Sequence, residues 1–503
     1  MIGEARTGQL RFWLFAILYC IAWGTLCAVF QSNYRADVIE QYFLGDQWVI
    51  SSGKNPVLSA CLLKIIRLAT FESPVAPYIA AELCVLAMLW CVWQLARDFL
   101  ADERLAFLAT LAAANWRYLN IGNLVFANNI FMTLFWTLAT LSFYRALTRN
   151  RYRDWIVTGI AIGLGLQGKY TLAILVVSIL LFMVFNRHAR GFWRKPGPYL
   201  TLIAALLVFL PHLVWLFQND FHTFGYAGSR ATSAVAVHWT DHLLAPWKFP
   251  LRLLVVLLPA FLTLLPIIDF RRQVKTSQAT VSRQFQRVFL TSMIVLPILF
   301  HMLIWAVTGK KQPTNYAMPM GMYVSVLVMI GVRLRTDSAA FRRSCVLGLA
   351  IALVTMMTWA GTLTYSARYA AEPFTTAFPG RRLAEEVERI WTERYGNRPC
   401  PFVTEPFDYW YCGNVHVYGK MHMPVHISFV TLRSTNEEVN RRGGIVLWPT
   451  EEDQDRYGVS FKVIRKKFPR AERLPDLLIP YDRADVPPVR IGIAIIPLPD
   501  DPS

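Results

Sequence analysis

Asp37 and Glu40, three residues apart, and Lys54 in a Lys-Asn-Pro turn are the residues whose types and spacing could do chemistry. On a helix the two carboxylates share a face, so one could accept a proton while the other orients it. A nearby ammonium could stabilise negative charge on a departing phosphate. Deprotonating an acceptor while a phosphate leaves is the chemistry of transfer from a phosphate-linked donor. The stretch Asn33–Pro56 that carries them, Asp46 included, starts just beyond the first long apolar run, at the depth of a lipid headgroup. There a carboxylate avoids the cost of mid-bilayer burial, on the order of 3 kcal/mol. The plain alternative is a solvated loop with ordinary charges.

The elements that must position these residues follow from composition. The chain is 55% hydrophobic, 14% aromatic and only 17% charged, too apolar for a soluble domain and suited to a polytopic membrane protein. Its net charge of +18 sits in short clusters between apolar runs, which fits membrane topology and not a nucleic-acid surface. The run Phe12–Phe30 is long enough to span, so it is read as an uncleaved first helix with a cytoplasmic N-terminus. Spans are expected near 12–31, 76–96, 105–120, 127–146, 199–217, 250–268, 288–308, 316–332 and 344–365. The run Trp155–Phe185 exceeds one span and is interrupted at Gln167–Tyr170, so it is split into two short helices, giving about 11.

With that count the basic loops (Arg145–Arg153, Arg187–Lys195, Arg271–Arg287, Arg333–Arg343) fall on the cytoplasmic side. The loops 31–74 and 218–248 and the short turns near 119–126, 167–170 and 309–315 share the outer face. Residues 1–365 therefore read as the membrane domain, with its first outer loop at 32–75. Residues 366–503, with short alternating runs such as GGIVLWP and VRIGIAIIP, read as a small soluble α/β domain outside the cytoplasm. There Cys400 and Cys412 could form a disulfide or remain free thiols. The other cysteines lie in or beside apolar segments and show no metal spacing.

The loop pattern D-x-x-E followed by a Lys-x-Pro turn resembles the GT-C glycosyltransferases of the protein-mannosyltransferase and aminoarabinose-transferase group. FANNIFMTLFW resembles the family's second outer loop, GLGLQGKYTLAIL its G-L-x-x-x-x-K-Y segment, and PHLVWLFQNDFHTFGYAGSR its P-H-L-x-W-L stretch. In order, these cover roughly the first 330 residues. The resemblance implies Asp37 as the catalytic base with Glu40 as its support. It implies that Lys54, Lys169 and Tyr170 approach the donor phosphate or lipid, and that Asn129 positions substrate. Val38 departs from a second acidic residue common in relatives, and Asn55-Pro56-Val57 replaces the frequent His-Pro-Pro or Lys-Pro pattern.

Arg230, Lys310 and Lys311 are cations on the expected outer face that could bind an anionic substrate. His238 and His242 lack tight metal-ligand spacing. Trp215, Trp239 and Trp247 read as interfacial anchors. The expected activity is inverting sugar transfer from a polyprenyl-phosphate carrier to lipid A, lipopolysaccharide core, another glycolipid or a protein, on the periplasmic face of a bacterial inner membrane. A monomer with no nucleotide, no nucleic acid and no obligatory metal is expected, a divalent metal not being excluded. The rival is a flippase of a lipid-linked sugar, which should carry polar residues along a path through the spans.

Overall fold

The computed structural model describes residues 2–121, 126–224, 238–269, 281–309, 311, 313–335, 337–371, 373–428, 434–450 and 459–499. Arg230 and Lys310 lie outside the described residues. The molecule is mainly helical with one small sheet near its C-terminal end. Its first ten helices are α1 (Ile2–Phe30), α2 (Ala36–Asp46), α3 (Leu58–Ala69), α4 (Ala76–Leu100), α5 (Glu103–Ala114), α6 (Asn128–Arg149), α7 (Tyr152–Gly168), α8 (Ala173–Phe185), α9 (Arg187–Arg190) and α10 (Gly197–Gln218).

Among the described residues seven helices are long and apolar enough to cross a membrane, or eight if the bent pair Tyr170–Phe185 and Arg187–Arg194 is one span. Several of the eleven apolar runs expected from the sequence build helices shorter than these. α5 has 12 residues, α7 has 17 and α8 has 13, and the run near 316–332 is a 3-10 segment, Thr314–Gly321, followed by the short helix Val324–Gly331. The break in the run Trp155–Phe185 falls where the polar residues interrupt it, with Lys169 extended (φ −162°, ψ 135°) between α7 and a 3-10 turn.

Two compact units divide the chain. The first gathers the described residues of Met1–Cys27, Pro77–Asp220 and Ala227–Trp359, and the second those of Ala28–Ala76, Phe221–Tyr226 and Ala360–Ser503. The first outer loop thus falls in the same compact unit as the C-terminal segment. The physical reason is in its contacts: the backbone N–H groups of Ser32 and Asn33 both donate to the Thr376 carbonyl at 3.1 and 2.9 Å. α2 also packs on the helix Trp410–Tyr418. Close packing inside the loop is permitted at Gly45, where a Cβ would stand 2.5 Å from the Ala60 carbonyl oxygen of α3.

The sheet of this second unit has strands β1 (Val403–Thr404), β2 (Val425–His426), β3 (Gly444–Pro449), β4 (Glu472–Arg473), β5 (Leu477–Ile479) and β6 (Val489–Ile496). Its order is β2-β1-β3-β6-β4, with β5 also on β6. β1 runs parallel to β2 and β3, and the remaining pairs are antiparallel. The alternating runs seen in the sequence are β3 and β6, paired from Gly444 with Ile496 to Pro449 with Ile491. Cys400 and Cys412 are both buried free thiols.

In the first unit, helix packing satisfies polar groups locally, as a lipid environment demands. On α6 the hydroxyls of Thr133, Thr137, Thr140 and Ser142 donate to carbonyls one turn back at 2.7 to 3.0 Å. Between α6 and α7 the Thr158 hydroxyl donates to Ser142 Oγ at 2.9 Å, and between α7 and α10 Thr201 Oγ1 donates to the Trp155 carbonyl at 2.8 Å. Gly159 and Gly163, one turn apart on α7, let α10 come close: an added Cβ would meet the Thr201 carbonyl oxygen at 2.3 Å or Val208 Cβ at 2.6 Å. The outer side of α10, with Leu202, Ile203, Leu206, Leu207 and Leu210, is exposed and apolar, as a lipid-facing surface must be. Gly163→Leu is expected to destabilise the protein by about 1–3 kcal/mol through overpacking, read as a lowered thermal unfolding midpoint in detergent, with Ile160→Leu as the neutral control.

Candidate active site

Asp37 lies in the first turn of α2, where a negative charge suits the helix dipole, and its side chain is exposed. Among the described residues no hydrogen bond or ion pair reaches its carboxylate. Glu40, one turn on, is buried at 3% exposure. Lys54 reaches both Glu40 oxygens, at 2.7 and 3.0 Å. The turn that presents Lys54 is held by Ser52, whose hydroxyl accepts from the N–H groups of Lys54 and Asn55 at 3.3 and 3.1 Å and donates to the Asn55 carbonyl at 2.9 Å. An antiparallel bridge between Ser51 and Pro56 closes it.

The third member of this cluster is Tyr409. Its hydroxyl donates to Glu40 Oε2 at 3.2 Å, across 369 residues of sequence. The Lys54 ammonium stands 5.3 Å from its ring centre, and the Phe43 ring 5.8 Å away. Burial, followed by the negative charges of Glu40 and Asp37, holds the phenol above its ordinary value, so it stays a proton donor. No local pattern in the sequence marks Tyr409, and its place follows only from α2 packing on Trp410–Tyr418.

The far end of α2 carries a different network. Asp46 receives His416 Nε2 at 2.8 Å, Lys64 Nζ at 2.9 Å and Arg67 at 3.1 Å. Burial opposes its ionisation, but hydrogen bonds from His416 and Lys64 and the charge of Arg67 hold the carboxyl below the usual carboxylate range.

The first unit holds a second cluster of expected residues. Lys169 Nζ donates to Asn129 Oδ1 at 2.7 Å, and its ammonium lies 4.4 Å from the ring centre of Tyr316. The Tyr170 hydroxyl is 2.6 Å from Nε2 of fully buried His212. Gly165 and Gly168 allow this end of α7 to close: a Cβ on the first would meet Leu172 Cδ1 at 2.2 Å, and one on the second Phe131 Cδ1 at 2.7 Å. The G-L-x-x-x-x-K-Y segment thus joins the starts and ends of neighbouring helices. Tyr316 and His212 had been given no role from sequence, although His212 falls within the quoted P-H-L-x-W-L stretch.

Lys311 is exposed. A ring nitrogen of His242 lies 2.7 Å from the Ala306 carbonyl, and among the described residues no three His, Cys, Asp or Glu side chains gather as a metal-ligand set. Trp239 and Trp247 are exposed, and Trp215 stacks on His212 with ring centres 5.8 Å apart.

Residues 54–215 match the family "Dolichyl-phosphate-mannose-protein mannosyltransferase". The undecaprenyl phosphate-alpha-4-amino-4-deoxy-L-arabinose arabinosyl transferase of Pseudomonas aeruginosa is 26% identical over 71% of this chain and 67% of its own length. The lipopolysaccharide core galacturonosyltransferase RgtB of Rhizobium johnstonii is 30% identical over 42% of this chain and 44% of its own. The fold is similar to that of ArnT from Cupriavidus metallidurans bound to undecaprenyl phosphate, with a TM-score of 0.64, 10% identity and coverage of 96% of this chain and 97% of that one. The chain is a membrane glycosyltransferase with a GT-C fold, similar to the aminoarabinose-transferase group.

In this glycosyltransferase the family match begins at Lys54 and contains Asn129, Lys169, Tyr170 and His212, while Asp37 and Glu40 stand upstream of it. Glu40 and Lys54 form a water-poor ion pair, which is strong only while both partners stay. Lys54→Ala, which leaves Glu40 buried without its cation, is expected to cost about 3 kcal/mol, and the Glu40→Gln/Lys54→Met pair clearly less, in thermal unfolding of the purified protein. Asp46 gives a separate test. Its depressed carboxyl contributes stability that is present above the unfolded value, about 3.9, and is lost as pH falls through the lower folded value. Asp46→Asn should therefore lower the unfolding midpoint at pH 7, and its deficit relative to wild type should shrink as both are acidified below about pH 4.

Proposed function

We propose that the protein transfers a sugar, with inversion, from a polyprenyl-phosphate carrier to a glycolipid such as lipid A or lipopolysaccharide core, on the outer face of a bacterial cytoplasmic membrane. The observation that carries this reading is Asp37, an exposed carboxylate one helical turn from the buried Glu40–Lys54–Tyr409 cluster. The relatives named above act on such carriers and on lipopolysaccharide, and the G-L-x-x-x-x-K-Y region adds a lysine bonded to Asn129. The reading also gives the chain a cytoplasmic N-terminus, a periplasmic C-terminus and action as a monomer.

In the proposed step the acceptor oxygen forms a bond to the anomeric carbon as the bond from that carbon to the phosphate oxygen breaks. The acceptor proton passes to Asp37, and the bonding electrons leave with the phosphate. Glu40 acts through Lys54, fixing where the ammonium stands, and Lys54 counters charge on the departing phosphate. Tyr409, held protonated, donates to Oε2, the Glu40 oxygen nearer to Lys54. Lys169 and Tyr170 keep the donor-side role and Asn129 the positioning of substrate, with Arg230, Lys310 and Lys311 available to anionic parts of substrate. In-line geometry makes the position of each group matter more than its number.

The test is transfer from a labelled polyprenyl-phosphate sugar to a glycolipid acceptor by protein in lipid discs. Asp37→Asn is expected to lower the rate at saturating substrate by about 10²–10⁴-fold with an unchanged unfolding midpoint. Transfer at the wild-type rate by the folded variant would sink the assignment of the base. Lys169→Ala is expected to raise the KM for donor more than for acceptor, which separates the donor role from lysine snorkelling to the interface.

A further inference from the structure

The break after α7 is fastened to α10 at two points. Gln167 Nε2 donates to the Val208 carbonyl at 3.2 Å, and one turn further along α10 the Tyr170 hydroxyl meets His212 Nε2 at 2.6 Å. Pro211, inside α10, has no N–H to give to the preceding turn, so the helix ladder is interrupted where α10 receives the break.

The imidazole at that point has little freedom. His212 is fully buried, with the Trp215 ring stacked on it at 5.8 Å and 14° and the Phe209 ring set across it at 5.1 Å and 62°. Its Nδ1 is buried as well and has no hydrogen-bond partner among the described residues. A buried polar atom left over in a packed helix pair calls for a physical reason.

The orphan nitrogen decides where the hydrogen of the ring sits. A neutral imidazole carries one N–H and one bare nitrogen. If Nε2 were bare and accepted from the phenol, the N–H would fall on Nδ1 as a buried donor with no acceptor. If Nε2 carries the hydrogen, it donates to Tyr170 Oη, and Nδ1 is only an unused acceptor. Buried N–H groups without an acceptor are rarer in native proteins than under-used acceptors, which selects the second arrangement. An imidazolium would bring the same unmet N–H and a buried charge besides.

The consequence falls on Tyr170. Its oxygen accepts from the imidazole, so its own hydrogen points away from that ring, and a hydroxyl that accepts one hydrogen bond is polarised into a stronger donor. We propose that His212 is a positioning residue: by donating through Nε2 it makes the Tyr170 hydroxyl a fixed hydrogen-bond donor to a phosphate oxygen of the sugar donor, beside the Lys169 ammonium. This rests on the donor-side role proposed above for Lys169 and Tyr170. With Lys169 Nζ held by Asn129 Oδ1 at 2.7 Å, two consecutive residues then present two oriented donors, one charged and one neutral, as a phosphate requires.

The experiment measures KM for donor and for acceptor with the labelled polyprenyl-phosphate sugar and the full-length protein in lipid discs. Tyr170→Phe and His212→Leu are each expected to raise the donor KM about tenfold, the size of one hydrogen bond to a charged group, with kcat and the acceptor KM changed by less than about twofold. The double variant should be no worse than either single one, because removing the phenol removes what His212 positions. His212→Gln, whose amide N–H can stand in for Nε2–H, should bring the donor KM back to within about twofold of wild type. In histidine 15N spectra the resonances lost in His212→Gln should be those of an imidazole with its hydrogen on Nε2. Losses that multiply to about a hundredfold in the double variant, a wild-type donor KM in folded His212→Leu, or a hydrogen on Nδ1 would overturn the inference, and the spectrum decides even where His212→Leu fails to fold. A wild-type donor KM in Tyr170→Phe would instead overturn the donor role of Tyr170 itself.

Discussion

The ion pair between Glu40 and Lys54 sets the geometry on which the catalytic proposal depends. Both side chains are largely removed from water, at 5% and 18% exposure, so either charge alone would be costly. The pair therefore locks the Ser51–Pro56 turn to α2 and fixes the rotation of that helix. That rotation leaves Asp37 on the open side of the first turn. Tyr409 shares Glu40 Oε2 with Lys54 and draws the helix Trp410–Tyr418 onto α2. A segment between two membrane helices and a segment near the C-terminus become one folded unit, Glu40 joining them alongside the bonds of Ser32 and Asn33 to Thr376 and of His416 to Asp46.

The first unit is ruled by another constraint. Lipid offers no hydrogen bonds, so a helix that stops early must have its end groups met by protein. α7 stops at Gly168, and the residues that follow it meet partners at once: Lys169 finds Asn129, and Tyr170 finds His212. The polar side chains of this unit that the family pattern highlights thus lie at a helix break. Gly165 and Gly168 are the sequence's concession to that break, since side chains there would strike Leu172 and Phe131.

Local spacing made the α2 carboxylates and the interruption at Lys169 legible, because both depend on residues a few positions apart. The mainly helical membrane class was legible from composition, and β3 and β6 from their alternation. Hydropathy counted about eleven spans, and among the described residues seven or eight helices are long and apolar enough to cross a membrane. It reports apolarity and not helix length, and the runs at α5, α7, α8 and Val324–Gly331 are apolar but short. Tyr409, His212 and Tyr316 were invisible as site residues for a different reason: their partners lie 369, 42 and 147 residues away in the chain (316 − 169 = 147 for the last), and no periodic pattern reports such pairs. The same limit hid the partnership of the first outer loop with the C-terminal segment. A drop in apolarity after Tyr365 marks where spans end but not what the soluble residues pack against.

The departures from the commoner family pattern gain a physical meaning here. Val38 is 2% exposed, packed inside α2's buried face, so a carboxylate at that position would sit in apolar surroundings without a built partner. Asn55 contributes its backbone carbonyl and N–H to the Ser52 hydroxyl, which makes it a turn residue, while the adjacent Lys54 supplies the cation. Both positions serve packing and turn geometry in this chain. In the proposed step the acceptor's proton therefore goes to Asp37, with Glu40 withdrawn into an ion pair. A substitution at Val38 would disturb the helix's burial before it added a second acid, so the two-carboxylate arrangement of relatives could be restored only by rebuilding the face that Val38 now fills.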